Sequence, residues 1–347
     1  MKKFTKTLAL LLALIMVVGM LAACGKKDAD TATDTAGMIA PLGNGKDIFN
    51  QEIKIAHVAL STAGITNVLI HKGIEEQLLL YPNVKIEYFD AGYNLETQIS
   101  LIQDVVTQGY DAILMEPLDT EACNKAIADA EAAGVPVITV NTGATGLHTL
   151  HLQGSDFKAG EISARELIKM TGGKGNAVVL DCPAEMKAIG LMGKGFEDTV
   201  KAESDIVVLE NQGIPMWSQE EARRIMSDLL TKYSDINMVY CASDDIAMGA
   251  VQAIESAGRQ NDGILVWGNC GYKPALEAIK DGRMAGTCFS DVYVQYAVAL
   301  YFALSYIATG TTSITAGYTT TPIVDQVMAP VTAANVEEIM AVSRWYA

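Results

Sequence analysis

Three residues of this 347-residue chain have side chains that could hold a small polar molecule. Glu116, in MEPLD, places a carboxylate after an apolar run, where it could accept hydrogen bonds from hydroxyls or pair with a cation. Trp217, in GIPMWSQEEA, offers a face that could stack on a sugar ring, a nucleobase or a cation. Asp244 opens a helical pattern. The alternatives are structural: a solvated charge at a strand end, a buried tryptophan beside a capped helix, and an ordinary N-cap.

Motifs for catalysis or for metal binding are weak. HTLH at 148–151 has the spacing of a metal pair but no third ligand nearby, so we expect ordinary surface or strand histidines. TGGKGN lacks the GK[ST] ending of a phosphate loop, and GLMGKGF lacks the glycine spacing of a dinucleotide site. No GxSxG elbow or nucleophile–base set is evident. We therefore predict a protein that is not an enzyme and uses neither a metal nor a cofactor.

The N-terminus has the pattern of an export signal. Three lysines precede an apolar run from Leu8 to Met20, and the run ends in Leu-Ala-Ala-Cys. This ending resembles the bacterial lipobox, which implies a signal peptide over 1–23 and lipid attachment at Cys24. Plain secretion and a membrane span are the alternatives, although the uncharged stretch is short for a span. Residues 24–50 have no apolar period and predict a flexible, lipid-anchored tether.

The net charge and the chain length narrow the possible classes of protein further. The formal net charge is −16, and cleavage after residue 23 would remove three lysines and bring it to −19. Such a surface repels nucleic acids, so we expect no nucleic-acid partner. The roughly 300 residues after the tether suit two domains. The five cysteines beyond Cys24 form no CxxC pair and indicate small buried side chains, although one disulfide stays open.

From Glu52 onward, short β-rich runs alternate with amphipathic helical patterns. DTEACNKAIADAEAAG, for example, predicts a helix with Asp119 as N-cap and Gly134 just past its end. The pattern restarts near residue 154. The stretch 292–310 is apolar all round and predicts a helix buried deeply against a sheet, and its Tyr and Gln residues argue against a membrane span. The alternation predicts an α/β fold of two doubly wound parallel-sheet lobes, with a ligand cleft at the carboxyl ends of their strands.

Two segments carry a resemblance to a known family. DVVTQGYDAILMEPLDTEACNKAIADAEAAGVPVITVN and MVYCASDDIAMGAVQAIESAGR resemble signatures of the sugar-type (type I, ribose/galactose-binding-like) solute-binding proteins of ABC importers. ALEAIKDGRMAGT resembles their segment that returns to the first domain. The resemblance implies the type I periplasmic-binding-protein fold, with a three-crossover hinge at roughly Gln153–Ser155, Cys288–Ser290 and Pro322–Asp325. It also implies closure around a ligand, which membrane permease subunits then recognise.

The chain departs from the family at the usual sugar-clamping positions. Thr66 and Asn67 replace stacking aromatics, and Asn141-Thr142 replaces the frequent Asp-Arg. Met192 stands where an arginine is common, and Cys270 where an aspartate is common. The resemblance assigns the ligand to these positions: Thr66, Asn67, Glu116, Asn141, Thr142, Met192, Trp217, Ser243, Asp244, Asn269, Cys270 and Ser290. Tyr93, Tyr272 and Asp291 are weaker candidates in loops after strands.

The sequence therefore predicts an extracytoplasmic receptor that captures a small polar solute, with a carbohydrate favoured, and delivers it to the permease and ATPase subunits of an ABC importer. A receptor for a membrane sensor, and a binding protein for a nucleoside or polyol, are the alternatives. We expect a monomer anchored to the membrane of a Gram-positive cell, or on the periplasmic side of a Gram-negative one. The expected lobes are 51–153 with 290–322 and 154–289 with 323–347.

Overall fold

The structure is a computed structural model that describes residues 45–63, 66–154, 156–183, 191–344 and 346. The signal peptide, Cys24 and most of the predicted tether lie outside the described residues. The strands are β1 (Ile53–Ala59), β2 (Val84–Asp90), β3 (Ala112–Met115), β4 (Val137–Asn141), β5 (Leu150–Gln153), β6 (Lys174–Asp181), β7 (Asp205–Gly213), β8 (Met238–Cys241), β9 (Leu265–Cys270), β10 (Gly286–Ser290), β11 (Ile323–Asp325) and β12 (Met328–Thr332). The helices are α1 (Thr66–Leu78), α2 (Leu95–Thr107), α3 (Asn124–Ala132), α4 (Asp156–Thr171), α5 (Met192–Glu203), α6 (Gln219–Lys232), α7 (Asp244–Ser256), α8 (Lys273–Lys280), α9 (Val292–Thr309) and α10 (Val336–Val342).

The strands form two six-stranded sheets, and each sheet is the centre of one lobe. The first has the order β11-β5-β4-β3-β1-β2, and all its neighbouring pairs are parallel. The second has the order β12-β10-β9-β8-β6-β7 and is parallel except for the β10–β12 pair. The architecture confirms the predicted pair of doubly wound lobes, because helices connect successive parallel strands in each sheet.

Both faces of each sheet are buried, which explains the continuous apolar strands. In β1, Ile53 and Ile55 pack into one core cluster, whereas Ala56 and Val58 pack into another on the opposite face. Successive side chains of a strand point to opposite faces, so one apolar run serves two cores. In the second lobe, Trp267 of β9 is fully buried. Side chains of this size each stabilise the fold by about 2–3 kcal/mol through the apolar surface that they remove from water.

Helix α9 belongs to the first lobe and was expected to be buried. Among the described residues it is the one helix that is long and apolar enough to cross a membrane, yet 56% of it is buried inside the protein. Tyr296, Ala299, Leu300 and Ala303 join the core of the first sheet. Its apolar character is therefore explained by packing, as expected for a core helix.

Residues 45–50 differ from the prediction of a tether that extends to residue 50. The Lys46 amide donates to the carbonyl oxygen of Ile307 at 3.0 Å, and the Lys46 ammonium pairs with Asp111 at 2.5 Å. Phe49 packs against Tyr81, with ring centroids 5.4 Å apart. The folded domain therefore begins near residue 45, because the side chains of Ile48 and Phe49 pack against the first lobe.

Three crossovers join the lobes, after β5, after β10 and after β11. Strand β11 pairs with β5 of the first sheet, whereas the sequence analysis assigned residues from 323 onward to the second lobe. The chain therefore changes lobe between Asp325 and Met328, a few residues later than expected. A three-residue strand at a sheet edge has too short an apolar pattern to be recognised in the sequence.

His151 lies on strand β5, one of the two settings expected for the HTLH histidines, whereas His148 precedes that strand; both side chains are buried. His148 and His151 both form hydrogen bonds with the Thr139 hydroxyl, at 2.7 and 2.9 Å. None of the five cysteines in the described part of the chain forms a disulfide, and four of them are buried. Both residue types are thus part of the packed interior.

Candidate functional site

The carboxyl ends of the two sheets face each other across a cavity of about 450 Å³. Its walls come from loops and helix starts of both lobes. Ten of the twelve residues that the resemblance assigned to ligand line it: Thr66, Glu116, Asn141, Thr142, Met192, Trp217, Ser243, Asn269, Cys270 and Ser290. Small-molecule sites typically enclose about 300–1,000 Å³, so the cavity suits a solute of monosaccharide size.

Two assigned residues, Asn67 and Asp244, do not line the cavity. The Asn67 side chain is buried and donates to the carbonyl oxygen of Ser61 at 3.0 Å, so it shapes the loop after β1. Asp244 is buried beneath the second wall, where it accepts from the Tyr272 amide at 2.6 Å and from the Thr287 hydroxyl at 2.7 Å. Both residues support the wall from behind.

The three weaker candidates also divide into residues that line the cavity and a residue that does not. Tyr93 and Tyr272 line the cavity. Asp291 instead caps α9 by accepting from the Val294 amide at 3.2 Å. A carboxylate at the start of a helix is commonly used in this manner.

Glu116 lies at the end of β3 and faces the cavity. Its carboxylate accepts long hydrogen bonds from Asn141 Nδ2 (3.3 Å) and Thr142 Oγ1 (3.4 Å). Burial raises the pKa of this carboxyl to about 7, and the two hydrogen bonds only partly oppose the effect. The pKa of Glu116 is therefore near neutral pH, so a neighbouring charge or a small change of pH can change its ionisation.

A buried glutamine that the sequence analysis did not identify fixes the Glu116 loop. Gln98 of α2 is fully buried, donates to the Glu116 carbonyl oxygen at 2.9 Å and accepts from the Leu118 amide at 2.8 Å. A buried amide that satisfies a loop backbone on both sides restricts its conformation. In the sequence, this role is indicated by a single Gln on the apolar face of an amphipathic helix.

Asn141 is positioned by the long helix of the first lobe. Gln295 of α9 donates from Nε2 to Asn141 Oδ1 at 2.6 Å, while Asn141 donates to Glu116. Asn141 also has a left-handed backbone, with φ of 58°. The chain of contacts Gln295–Asn141–Glu116 connects the interior of the lobe to the cavity wall.

In the second lobe, Asn269 presents a free acceptor. Its Nδ2 donates to the Tyr240 hydroxyl at 3.0 Å and to the Cys241 carbonyl oxygen at 2.8 Å. A carbonyl oxygen can only accept, so the amide orientation is fixed. Oδ1 has no partner among the residues that the structure describes, although the side chain is 2% exposed. Such an oxygen is costly unless a ligand or a water donates to it.

Trp217 ends a short 3₁₀ turn, Pro215–Trp217, that projects into the cleft before α6. The helix begins after Ser218, whose hydroxyl accepts from the Glu221 amide at 3.3 Å. Met216 and Trp217 both have left-handed backbones, with φ of 54° and 55°. The turn thus directs a partly exposed indole toward the cavity.

Backbone strain is concentrated around this cavity. Five non-glycine residues in the described segments have positive φ, and all five line the cavity: Tyr93, Asn141, Met216, Trp217 and Cys270. Conformations of this kind cost about 1–3 kcal/mol each and persist where the surrounding structure imposes them. Their clustering marks the cavity as the functional site independently of the sequence motifs.

Two acidic residues of the wall, Asp156 and Asp245, were not predicted from the sequence. Asp156 is the first residue of α4, immediately after the first crossover. Burial raises its pKa to about 8, and the charge of Glu116 on the other lobe adds to this. Asp245 follows Asp244 on α7, and the helix turn places it toward the cavity.

The two lobes also touch beside the cavity through apolar side chains. Cys182, at the end of β6, is buried against Leu60, Tyr93 and Leu118 of the first lobe and against Trp217 of its own. We call these five residues the interlobe cluster. It closes one side of the cleft in this structure.

Two α/β lobes that enclose a strained, polar and aromatic cavity define a two-lobed solute-binding protein. The chain belongs to the periplasmic binding protein family, since the model of the periplasmic binding protein domain matches residues 57–312. Proteins of this family are receptors of transport systems and act outside the cytoplasm, which agrees with the fold and function that the sequence predicted.

Relatives and solved structures agree with this membership. The ribose import binding protein RbsB of Bacillus subtilis is 30% identical over 234 residues, covering 66% of this chain and 74% of that protein. The xylitol-binding protein of Mycolicibacterium smegmatis is 29% identical over 226 residues, covering 64% of this chain and 63% of that protein. The Caulobacter myo-inositol binding protein, solved with myo-inositol, has the same fold, with a TM-score of 0.76 at 22% identity over 86% of this chain and 97% of that one.

Proposed function

We propose that this protein is an extracytoplasmic receptor that captures one small polar solute, a carbohydrate or polyol, in the interlobe cavity and delivers it to an ABC importer. The observation that carries the proposal is the cavity itself, which combines hydrogen-bonding groups with aromatic faces from both lobes. Sugars and polyols need both, because they present hydroxyls around an apolar carbon frame. The names of the relatives, which bind ribose and xylitol, support this solute class.

Closure follows from the division of the site between lobes. Glu116, Asn141 and Tyr93 come from the first lobe, whereas Trp217 and Asn269 come from the second. A solute that contacts both groups binds the closed form better than the open one and therefore shifts the population toward it. The three crossovers supply the hinge, and importer subunits would recognise the closed form. We propose binding without chemical turnover.

We further propose that the protein works as a monomer held on the membrane by lipid at Cys24. Tethering would keep the receptor at a high effective concentration near the importer. Radiolabelled fatty acid should label the wild-type protein in cells, and Cys24→Ala should abolish both the label and the membrane fraction. An unlabelled, freely soluble wild-type protein would refute the anchor and leave the receptor proposal untouched.

The receptor proposal is tested by thermal unfolding of protein that has been unfolded and refolded to strip any captured ligand. Monosaccharides, polyols, nucleosides and amino acids form the panel. A ligand at about a thousand times its Kd should stabilise the protein by about 4 kcal/mol, which raises Tm by several degrees.

Trp217→Ala should weaken the binding of such a ligand about tenfold, because an aromatic stacking face contributes about 1 kcal/mol beyond its buried area. Tyr301→Ala is the matched control, since Tyr301 is an exposed aromatic on the outside of the first lobe. A panel in which only nucleosides or amino acids stabilise the protein would refute the carbohydrate assignment.

A further inference from the structure

The cavity wall carries carboxyl groups from both lobes. Glu116 ends β3 of the first lobe, and Asp156 and Asp245 stand in the first turns of α4 and α7 of the second. No Lys, Arg or His is found among the described residues that line the cavity. Within that part of the chain, none of the three carboxyls forms an ion pair. Three carboxyl groups therefore converge on the ligand space without a cation in the described wall.

An uncharged side chain of the wall, the Asn269 amide, also leaves an acceptor rather than a donor unpaired among the described residues. Asn269 directs Nδ2 into the sheet, toward the Cys241 carbonyl oxygen, and leaves the buried Oδ1 as an acceptor without a partner among the described residues. The Glu116 oxygens receive only long hydrogen bonds of 3.3 and 3.4 Å. The Glu116 oxygens would be better satisfied by a strong donor in the cavity.

Aromatic faces surround the same space. Tyr93 comes from the first lobe, and Trp217 and Tyr272 come from the second. An aromatic face attracts a cation as well as an apolar ring surface, and the attraction grows when water is excluded. Carboxyls, free acceptors and aromatic rings are together the groups that hold an ammonium ion.

In the closed form without such an ion, the carboxyls of the two lobes oppose each other. Burial raises the pKa of Glu116 to about 7, and burial and the charge of Glu116 raise that of Asp156 to about 8. A cation placed between them would favour both carboxylates and would favour closure at the same time.

We propose that the solute is cationic: a molecule of monosaccharide size, an amino sugar or an aminated polyol, whose protonated amino group lies between Glu116 of one lobe and Asp156 of the other. The inference rests on the proposed receptor function and specifies its ligand. The hydroxyls of the solute would be left to Asn141, Asn269 and Thr142, and its carbon frame to Trp217.

The test compares solutes that differ only in the amine. Isothermal titration calorimetry on the stripped protein, at neutral pH and low salt, would use glucosamine with glucose and N-acetylglucosamine, galactosamine with galactose and N-acetylgalactosamine, and an amino-inositol with myo-inositol. In at least one set the amine should bind tenfold or more tightly than its neutral partners. Added salt should weaken the binding of the amine more than that of the neutral compounds.

Two variants assign the effect to the carboxyls. Glu116→Gln and Asp156→Asn should each reduce the affinity for the amine at least tenfold, whereas Glu220→Gln, the same change at an exposed helix position, should leave it unchanged. If one of the two variants fails to fold, the other alone assigns the effect to the carboxyls.

The remaining outcomes are distinguishable. Neutral compounds that bind as tightly as their amines would overturn this inference and leave the proposed function standing. A complete absence of binding across the neutral and the aminated sets would overturn the proposed function, and this inference with it.

Discussion

The two walls of the cavity are built in different ways. On the second lobe, the residues behind the wall are tightly committed: Asp244 accepts from the Tyr272 amide and the Thr287 hydroxyl at 2.6 and 2.7 Å. Ser243 also caps α7 by accepting from the Ile246 amide at 3.3 Å. Such bonds restrict the loops before a ligand arrives.

On the first lobe, the carboxylate that faces the cavity has weaker hydrogen bonds. Glu116 has only long hydrogen bonds from Asn141 and Thr142, and its raised pKa places its ionisation under the control of whatever enters the cavity. The second wall is thus held from behind by short hydrogen bonds, whereas the first presents a carboxyl that receives only long ones. The charge state of the facing carboxyls on both walls, Glu116 and Asp156, depends on the ligand. A receptor built in this way can keep its framework while its specificity changes through few residues.

The largest effect should come from adjacent aspartates of the second wall. Asp244→Ala should lower the free energy of unfolding by about 3 kcal/mol, because it leaves the buried Tyr272 amide and Thr287 hydroxyl without their acceptor. Asp245→Ala, one residue further along α7 and facing the cavity, should change it by no more than about 0.5 kcal/mol. Urea unfolding of the ligand-free protein measures both.

Equal losses in the two variants would mean that the second wall is not held by Asp244. The comparison is informative because the variants share the same chemistry and differ by one position on the helix. It therefore distinguishes the loss of a residue that supports the wall from the loss of a residue that only faces the cavity.

A smaller effect should appear in the pH dependence of the carboxyls that face the cavity. A carboxyl whose pKa is higher in the folded protein than in the unfolded chain carries no penalty below its ordinary pKa and the full penalty above the raised one. The pKa values of Glu116 (about 7) and Asp156 (about 8) therefore predict that the ligand-free protein loses stability as the pH rises from about 4 to about 8.

Glu116→Gln should remove part of this loss and stabilise the ligand-free protein by about 1–2 kcal/mol at pH 8, with little effect at pH 5. Thermal unfolding at the two pH values measures it, with the exposed Glu220→Gln as control. A variant that is less stable than wild type at pH 8 would show that the carboxylate is favourably held, contrary to the comparison of the walls.

The sequence predicted most elements because their patterns reflect burial. VKIEYFD, one of the short β-rich runs that follow Glu52, coincides with β2, since alternate positions face the core. The helix predicted from Asp119 begins only at Asn124, because the Asp119 carboxylate accepts from the amides of Glu121 and Ala122 and closes a turn instead. Local patterns do not distinguish a capped turn from a capped helix.

The cavity residues were placed by resemblance, and the exceptions follow from three-dimensional packing. Asp244 and Asp245 are adjacent in the sequence, and only the orientation of α7 determines which of them faces the cavity. Asp156 approaches Glu116 only when the two lobes meet. Neither fact has a local signal in the chain.

The smallest predicted effect concerns the contact between the walls. Leu118 of the first lobe packs on Cys182 of the second in the interlobe cluster and is only partly buried. Leu118→Ala should therefore weaken the closed form by about 0.5–1 kcal/mol, which lowers the apparent affinity for a ligand about twofold to fivefold and leaves Tm without ligand unchanged. Val68→Ala, an exposed apolar position on the same lobe, should alter neither quantity. A loss of Tm in Leu118→Ala without a loss of affinity would mean that Leu118 stabilises its own lobe instead of the contact between the two walls.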